Sequence, residues 1–304
     1  MILMRPAICG LSFIAACVFG PWLLEGSILA NEFTFESAQL AAEKGNSEAE
    51  YFLGKSFADG KGVPRDYGKA ADYLRRAAEK GHAHAQSELG LLYEKGLGIE
   101  RNYELAASWY RKAAEQDDAL GQYQLGRAYS LGRGMSKDVA EALIWWRKSA
   151  AQDRLEAQNA LGQHYFWAGA TGTNREASER NYLEAFGWLQ AAAEKGNLDA
   201  MNNLAYLYSG GLGVQRDVER AVKWYRTAAE KGSGKAQGIL GLMYEDGIGV
   251  PRDPVEAYKW FRLSAKRGDA IGLRQVEEYQ DKDLLSQEQF AEGERLAREF
   301  KRSD

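Results

Sequence analysis

Residues 49–63 read Ala49-Glu50-Tyr51-Phe52-Leu53-Gly54-Lys55-Ser56-Phe57-Ala58-Asp59-Gly60-Lys61-Gly62-Val63. Ala49, Leu53 and Phe57 are spaced i, i+4, i+8 and line one face of a helix, Gly54 leaves room for a neighbouring backbone, and Gly60-Lys61-Gly62 stops the helix. The phrase recurs. Its Leu-Gly step falls at Leu53-Gly54, Leu89-Gly90, Leu125-Gly126, Leu161-Gly162, Leu204-Ala205 and Leu240-Gly241, at intervals of 36, 36, 36, 43 and 36 residues. A period of this size marks a repeat architecture, in which stacked units build one continuous core that none could build alone.

Each unit then offers a second helix. Asp66, Asn102, Asp138, Asn181, Asp217 and Asp253 occupy its N-cap slot, with Pro254 following Asp253 at the first helical position. Ala70, Tyr73, Leu74, Ala77 and Ala78 form its buried stripe, whose aromatic slot continues as Trp109, Trp145, Trp188, Trp224 and Trp260 and is read as core. Gly81, Gly196, Gly232 and Gly268 end these helices, with Asp117 and Asp153 in the same slot elsewhere. The pattern predicts about fifteen helices and no strands. Residues 31–45 form an N-terminal capping helix (Ser37 to Gly45), 46–280 the solenoid of six repeats plus the first helix of a seventh (Asp269 to Tyr279), and 281–304 a C-terminal capping helix and tail. Ser286 with Gln289 predicts a capping box there, and Leu285 with Phe290 a hydrophobic staple.

Residues 1–30 differ from the rest: Arg5 precedes an apolar run from Ala7 to Leu24, and Ser27 to Ala30 end before Asn31-Glu32. This reads as a secretory signal cut after Ala30, which places the mature protein beyond the inner membrane, in the periplasm. Retention as an N-terminal anchor, and lipidation at Cys17 within Ile14-Ala15-Ala16-Cys17, are the alternatives. Cys9 and Cys17 are the only cysteines, so a chain cut after Ala30 has no disulfides. The net charge of -4, with both signs spread through every repeat, argues against a nucleic-acid partner.

The unit A-x-x-x-L-G-x-x-[YF]-x-x-G-x-G-[VIM], followed by a polar N-cap, A-x-x-[WY] and A-A, resembles the SLR (Sel-one-like repeat) family, relatives of the tetratricopeptide repeat. The resemblance covers about residues 37–280. It implies an all-α, right-handed α/α superhelical solenoid that serves as a scaffold or adaptor, of an exported bacterial type, with a protein or peptide partner in its concave groove. A cysteine-rich exported branch of the family is linked to β-lactam binding or hydrolysis; this chain lacks the disulfide-forming cysteines on which that branch is built.

The chemistry of an enzyme is not written in the repeats. Ala49 to Ser56 satisfies a relaxed phosphate-loop pattern, yet those residues are mid-helix, where the amides are already bonded. His82, His84 and His164 are the only histidines and lack metal-ligand spacing, and serine-hydrolase and zinc-protease motifs are absent. No enzyme activity and no cofactor are expected. Partner contacts are expected instead where the sequence varies: two positions before and after each repeat Leu, at Tyr51 and Lys55, Ser87 and Leu91, Tyr123 and Arg127, Asn159 and Gln163, Asn202 and Tyr206, and Gly238 and Leu242. The 43-residue interval is a second candidate. It predicts a seven-residue insertion lengthening the loop Ala168 to Asn181, beside Tyr165-Phe166-Trp167, of which Tyr165 holds the repeated core slot. Phe166 and Trp167 either contact a partner or pin that loop.

Overall fold

The computed structural model describes residues 33–301. Residues 1–30, read above as a leader, with both cysteines and the expected cut after Ala30, lie outside the described residues. A lone helix α1 (Phe35–Glu43) precedes six helix pairs: α2 (Ser47–Asp59) with α3 (Tyr67–Glu79), α4 (Ala83–Lys95) with α5 (Tyr103–Glu115), α6 (Ala119–Leu131) with α7 (Val139–Ala151), α8 (Leu155–Ala170) with α9 (Arg175–Glu194), α10 (Leu198–Gly210) with α11 (Val218–Glu230), and α12 (Gly234–Asp246) with α13 (Pro254–Lys266). Helices α14 (Ala270–Asp281) and α15 (Gln287–Glu299) close the stack. There is no strand among the described residues, and none of their helices is long and apolar enough to cross a membrane.

The Leu-Gly step has a steric cause. A Cβ at Gly54 would lie 2.7 Å from Leu74; at Gly90, Gly126 and Gly241 it would lie 2.5 Å from the rings of Tyr110, Trp146 and Phe261, and at Gly162 2.7 Å from Leu189. The absent side chain lets the two helices of a unit close on one another. From the second unit on, the second glycine of the Gly-x-Gly does more than stop the first helix, whereas a Cβ at Gly62 in the first unit would meet nothing within 4 Å. A Cβ at Gly98 or Gly134 would sit 2.2 or 2.1 Å from the carbonyl oxygen of Tyr67 or Tyr103, the first helical residue of the preceding unit's second helix. These glycines also hold φ near 70° (70° and 72°), a region costly for any other residue.

This contact corrects the expected tryptophan core. Trp109, Trp145, Trp188 and Trp224 are half-buried, and the next residue in each helix, at Tyr110, Trp146, Leu189 and Tyr225, is the buried one that faces the first helix. Trp260 alone of the series is buried, at 3% exposure, because Phe300 beyond α15 packs on it at 5.4 Å. The lysine stems of Lys112 and Lys148 cover two of the half-buried rings, with their amines 4.0 and 4.2 Å from the Trp109 and Trp145 centroids.

The seven extra residues of unit four also depart from expectation. They lengthen both helices, α8 to 16 residues and α9 to 20 where the other units have 13, and leave a connection of four residues, Thr171 to Asn174. Asn174, not Asn181, is the N-cap, accepting from Ala177 N–H at 2.8 Å. The reason is local: Arg175 to Asn181 is rich in helix formers and is braced by Arg175–Glu179 and Glu176–Arg180 pairs one turn apart. Gly169 lets the extended pair close, since a Cβ there would lie 2.7 Å from the Tyr182 ring. The expected capping box is present at Ser286/Gln289, with Leu285 buried, and a second one that the sequence reading did not include stands at Thr34/Ser37, so that α1 starts at Phe35 rather than Ser37.

Candidate interaction surface

At 100° per residue, positions two before, two after, and five and six after the repeat Leu all fall on the helix face opposite it. That face looks along the inner side of the stack: α4 packs on α6, α8 on α10 and α12 on α14, whereas the second helices of adjacent units make no comparable contact. The wheel therefore places Phe166 and Trp167, five and six after Leu161, on the same surface as the groove slots.

The slots two before the Leu prove to be ties between units. Tyr51, Ser87, Tyr123 and Asn202 meet the N-cap residue of the next first helix, 31 residues on, whereas the Asn159 Oδ1 is buried with no hydrogen-bond partner. Tyr51 stacks on His82 at 4.7 Å, Ser87 Oγ donates to Asp118, Arg154 lies over the Tyr123 ring at 5.8 Å, and Asn202 Nδ2 donates to Ser233 Oγ at 2.9 Å. At the last junction Gly238 makes way for Ile271, whose Cβ would lie 2.9 Å from a Cβ there. Their variation is thus matched by variation at the facing cap. Ser87 (0% exposed) and Asn202 (3%) are buried, which corrects the expectation that they present themselves to a partner. Tyr51, Tyr123 and Asn159 are half-buried.

A second column escaped the sequence reading. Gln86, Gln122, Gln158 and Gln237, three before the Leu, are buried, and each Nε2 donates to the carbonyl of the last-turn alanine of the preceding second helix (Ala78, Ala114, Ala150, Ala229). Unit one has Glu50 there, fully buried and paired with Arg76 at 2.7 Å and Lys80 at 2.8 Å. The recurring Gln was the available signal.

The slots two after the Leu divide the surface in two. Toward the N-terminus two of the three are charged and tied, with the half-buried Leu91 between them: Lys55 Nζ donates to Glu88 at 2.9 Å, and Arg127 donates to Gln124 at 2.6 Å and lies 3.5 Å from Glu94, which also accepts from Tyr110 OH at 2.7 Å and Arg133 at 3.2 Å. Toward the C-terminus they are open. Gln163 and Leu242 are half-buried, Tyr206 is 50% exposed, and Trp167 is 63% exposed. Phe166 is buried and meets three aromatic rings edge-on, Trp167 and Tyr206 at 5.5 Å each and Tyr182 at 6.1 Å. Tyr165, expected in the core slot, is half-buried. Phe166, Trp167 and Tyr206 wall a cleft of about 330 Å³ between α8, α10 and α12, with Asn202, Lys235 and Ile239 among its other lining residues. The groove and insertion candidates meet here.

The histidines serve as structure. His82 Nδ1 caps α4 by accepting from Ala85 N–H at 3.1 Å, with Glu48 2.9 Å from its Nε2. His84 Nδ1 lies 2.5 Å from Asp118, which raises the imidazole above its ordinary pKa. Burial pushes Asp118 up, but hydrogen bonds from His84, Ser87 and the Gly121 amide outweigh it and hold the carboxyl below its usual range. Ser87 thus faces the carboxylate rather than an imidazole base, and no acidic or imidazole cluster among the described residues suits a metal ion.

A family model described as Sel1 repeat matches residues 47–82, 83–118, 119–153, 155–197, 198–233 and 234–269, one segment per helix pair. A solved Sel1 repeat protein from Oxalobacter formigenes is 33% identical, with a TM-score of 0.68 over 84% of this chain and 98% of that one. A protective antigen of uropathogenic Escherichia coli strains, displaying an SLR fold, is 29% identical over 88% of this chain and 71% of its own, with a TM-score of 0.41. Helicobacter pylori cysteine rich protein B is 23% identical over 41% of this chain and 95% of its own, with a TM-score of 0.33. No curated protein matches the chain.

Proposed function

We infer, because this chain belongs to the Sel1 repeat family, whose members generally act as protein-interaction scaffolds, that it is an exported adaptor holding a protein or peptide partner along its inner face. The observation that carries this reading is the open aromatic stretch at Trp167 and Tyr206, 63% and 50% exposed, on a surface where Tyr51, Lys55, Ser87, Tyr123 and Arg127 toward the N-terminus are spent on ties between units. Tyrosine and tryptophan are enriched among residues that dominate binding energy. The chain acts by binding rather than by catalysis: its buried Ser87 and Asp118 are engaged in capping and inter-unit bonds.

A photo-reactive residue at Gln163, on the inner face, tests the reading against one at Ile144, 45% exposed on a second helix. In envelope extract the first is expected to capture a defined partner and the second not. Equal capture at both positions, or at Ile144 alone, removes the inner-face reading. The leader supports export to the periplasm, where the chain regulates or organises an envelope process. Intact mass of protein from the envelope fraction is expected to start at Asn31; retention of residues 1–30 or an acyl group on Cys17 makes it a membrane-attached scaffold instead.

A further inference from the structure

The cleft between α8, α10 and α12 exists because unit four departs from its siblings. Five after the repeat Leu the other units carry Ala58, Glu94, Ser130, Ser209 and Glu245, where unit four has Phe166. The longer α8 adds Ala170 to the wall. Two polar groups serve no internal purpose here. Asn202 lines the cleft at 3% exposure; its Nδ2 is spent on Ser233, and its Oδ1 is buried with no hydrogen-bond partner. Gln158, Asn159, Gln237 and Gln275 also hold a buried amide oxygen without a donor, and Asn202 is the one of the five that lines this cleft, where a ligand could supply the donor. Lys235 lines the cleft as its one charged residue and has no ion-pair partner among the described residues, and no carboxylate lines the cleft to offset it.

Resting on the inner-face reading, we propose that this cleft anchors an extended acidic segment of a partner protein. One large apolar side chain seats between Phe166, Trp167 and Tyr206, a backbone N–H beside it reaches Asn202 Oδ1, and a neighbouring Asp or Glu side chain pairs with Lys235. The segment is extended rather than helical. A helix with its side chains is about 10–12 Å across, wider than a cleft between neighbouring helices packed about 8–10 Å apart. The volume of about 330 Å³ holds a large side chain together with backbone on either side.

The test is selection of a displayed library of random twelve-residue peptides on the full chain, followed by calorimetry with the most enriched peptide, synthesised with both ends blocked. The blocked ends remove the terminal carboxylate as a source of charge. Enrichment of an aromatic or branched aliphatic residue beside Asp or Glu is expected. Tyr206→Ala and Lys235→Glu, both at exposed positions, are expected to keep the wild-type melting temperature and to weaken binding at least tenfold. A peptide with its acidic residue changed to Lys is expected to regain affinity for Lys235→Glu. Enriched peptides without the apolar–acidic pair, or binding indifferent to both variants, overturn the proposal. Binding lost only in a Tyr123→Ala, Arg127→Ala double variant leaves the inner-face adaptor standing and removes the cleft as its anchor. No enrichment on any form removes both.

Discussion

Replacing Gly90 by Ala would bring a Cβ to within 2.5 Å of the Tyr110 ring, yet unit five carries Ala205 opposite Tyr225 at the same step. The scaffold therefore has a way to open by part of a methyl group. The expected cost is about 1 kcal/mol, the low end for overpacking, read as a lower urea midpoint. Tyr225→Ala removes a ring that is 3% exposed and is expected to cost about 3–5 kcal/mol, like other large aromatic deletions; Trp224→Ala, half-buried, should cost about half as much on the same cavity argument. Equal losses from the two would return the core to the tryptophan column. Both aromatic columns were visible in the sequence at helical spacing. Which of two adjacent rings faces the partner helix was not, because the stripe is wide and the deciding contact lies with a glycine some twenty residues away. His84 gives a pH signature. Its folded pKa is raised, so the stabilisation from Asp118 is complete below the unfolded value near 6.5 and is lost as pH rises through the higher folded value. His164 is shifted down by burial and the nearby Arg147 charge and has the opposite slope, so the check is the difference between wild type and His84→Gln: only wild type should show the part of the stability loss due to this pair.

Among the elements, α9 separates what the repeat pattern tells from what local propensity decides. The register survives the insertion: Gly213 still sits against Tyr182, where a Cβ would lie 2.4 Å from its carbonyl carbon, just as Gly98 sits on Tyr67. The period therefore locates Asn181 correctly as the residue before the contact, but the helix runs through it because the preceding seven residues are themselves helical. Asn174→Ala should cost about 1 kcal/mol as a lost N-cap, while Asn181→Ala should be neutral or slightly stabilising by helix propensity. Thermal melts of the pair decide it, and the reverse order would restore a loop at 175–181. The site was legible in pieces for the same reason. Asn202 and Tyr206 came from the groove pattern and Phe166 and Trp167 from the irregular interval, and the two meet because Phe166 and Trp167 belong to the helix rather than to the loop, where the wheel turns them onto the inner face.

The whole molecule is a stack whose ends are finished differently. At the first end α1 sets Ala38 and Ala42 against Ala49 and Leu53, flanked by Phe33 on Phe52 at 5.9 Å and Phe35 on Phe57 at 5.7 Å, while at the far end α15 covers Trp260 through Phe300 and Tyr258 through Phe290 at 4.5 Å. Removing residues 284–304 should therefore expose a large aromatic surface. Hydrogen exchange is expected to quicken in α12 to α14 and to stay unchanged in α2 to α7, since each unit couples only to its neighbours. Uniform quickening would make the stack a single cooperative block. The junction pairs add a property that the core cannot supply. Every unit has nearly the same alanines, leucines and glycines, so packing alone does not tell unit two from unit five as a neighbour. Tyr51 with His82, Ser87 with Asp118, Tyr123 with Arg154 and Asn202 with Ser233 differ at each seam. At these four seams the pairs are expected to work as addresses: while the chain emerges and folds, a unit that docks on the wrong sibling would leave a buried hydroxyl or carboxylate unanswered, which favours the native order of the stack.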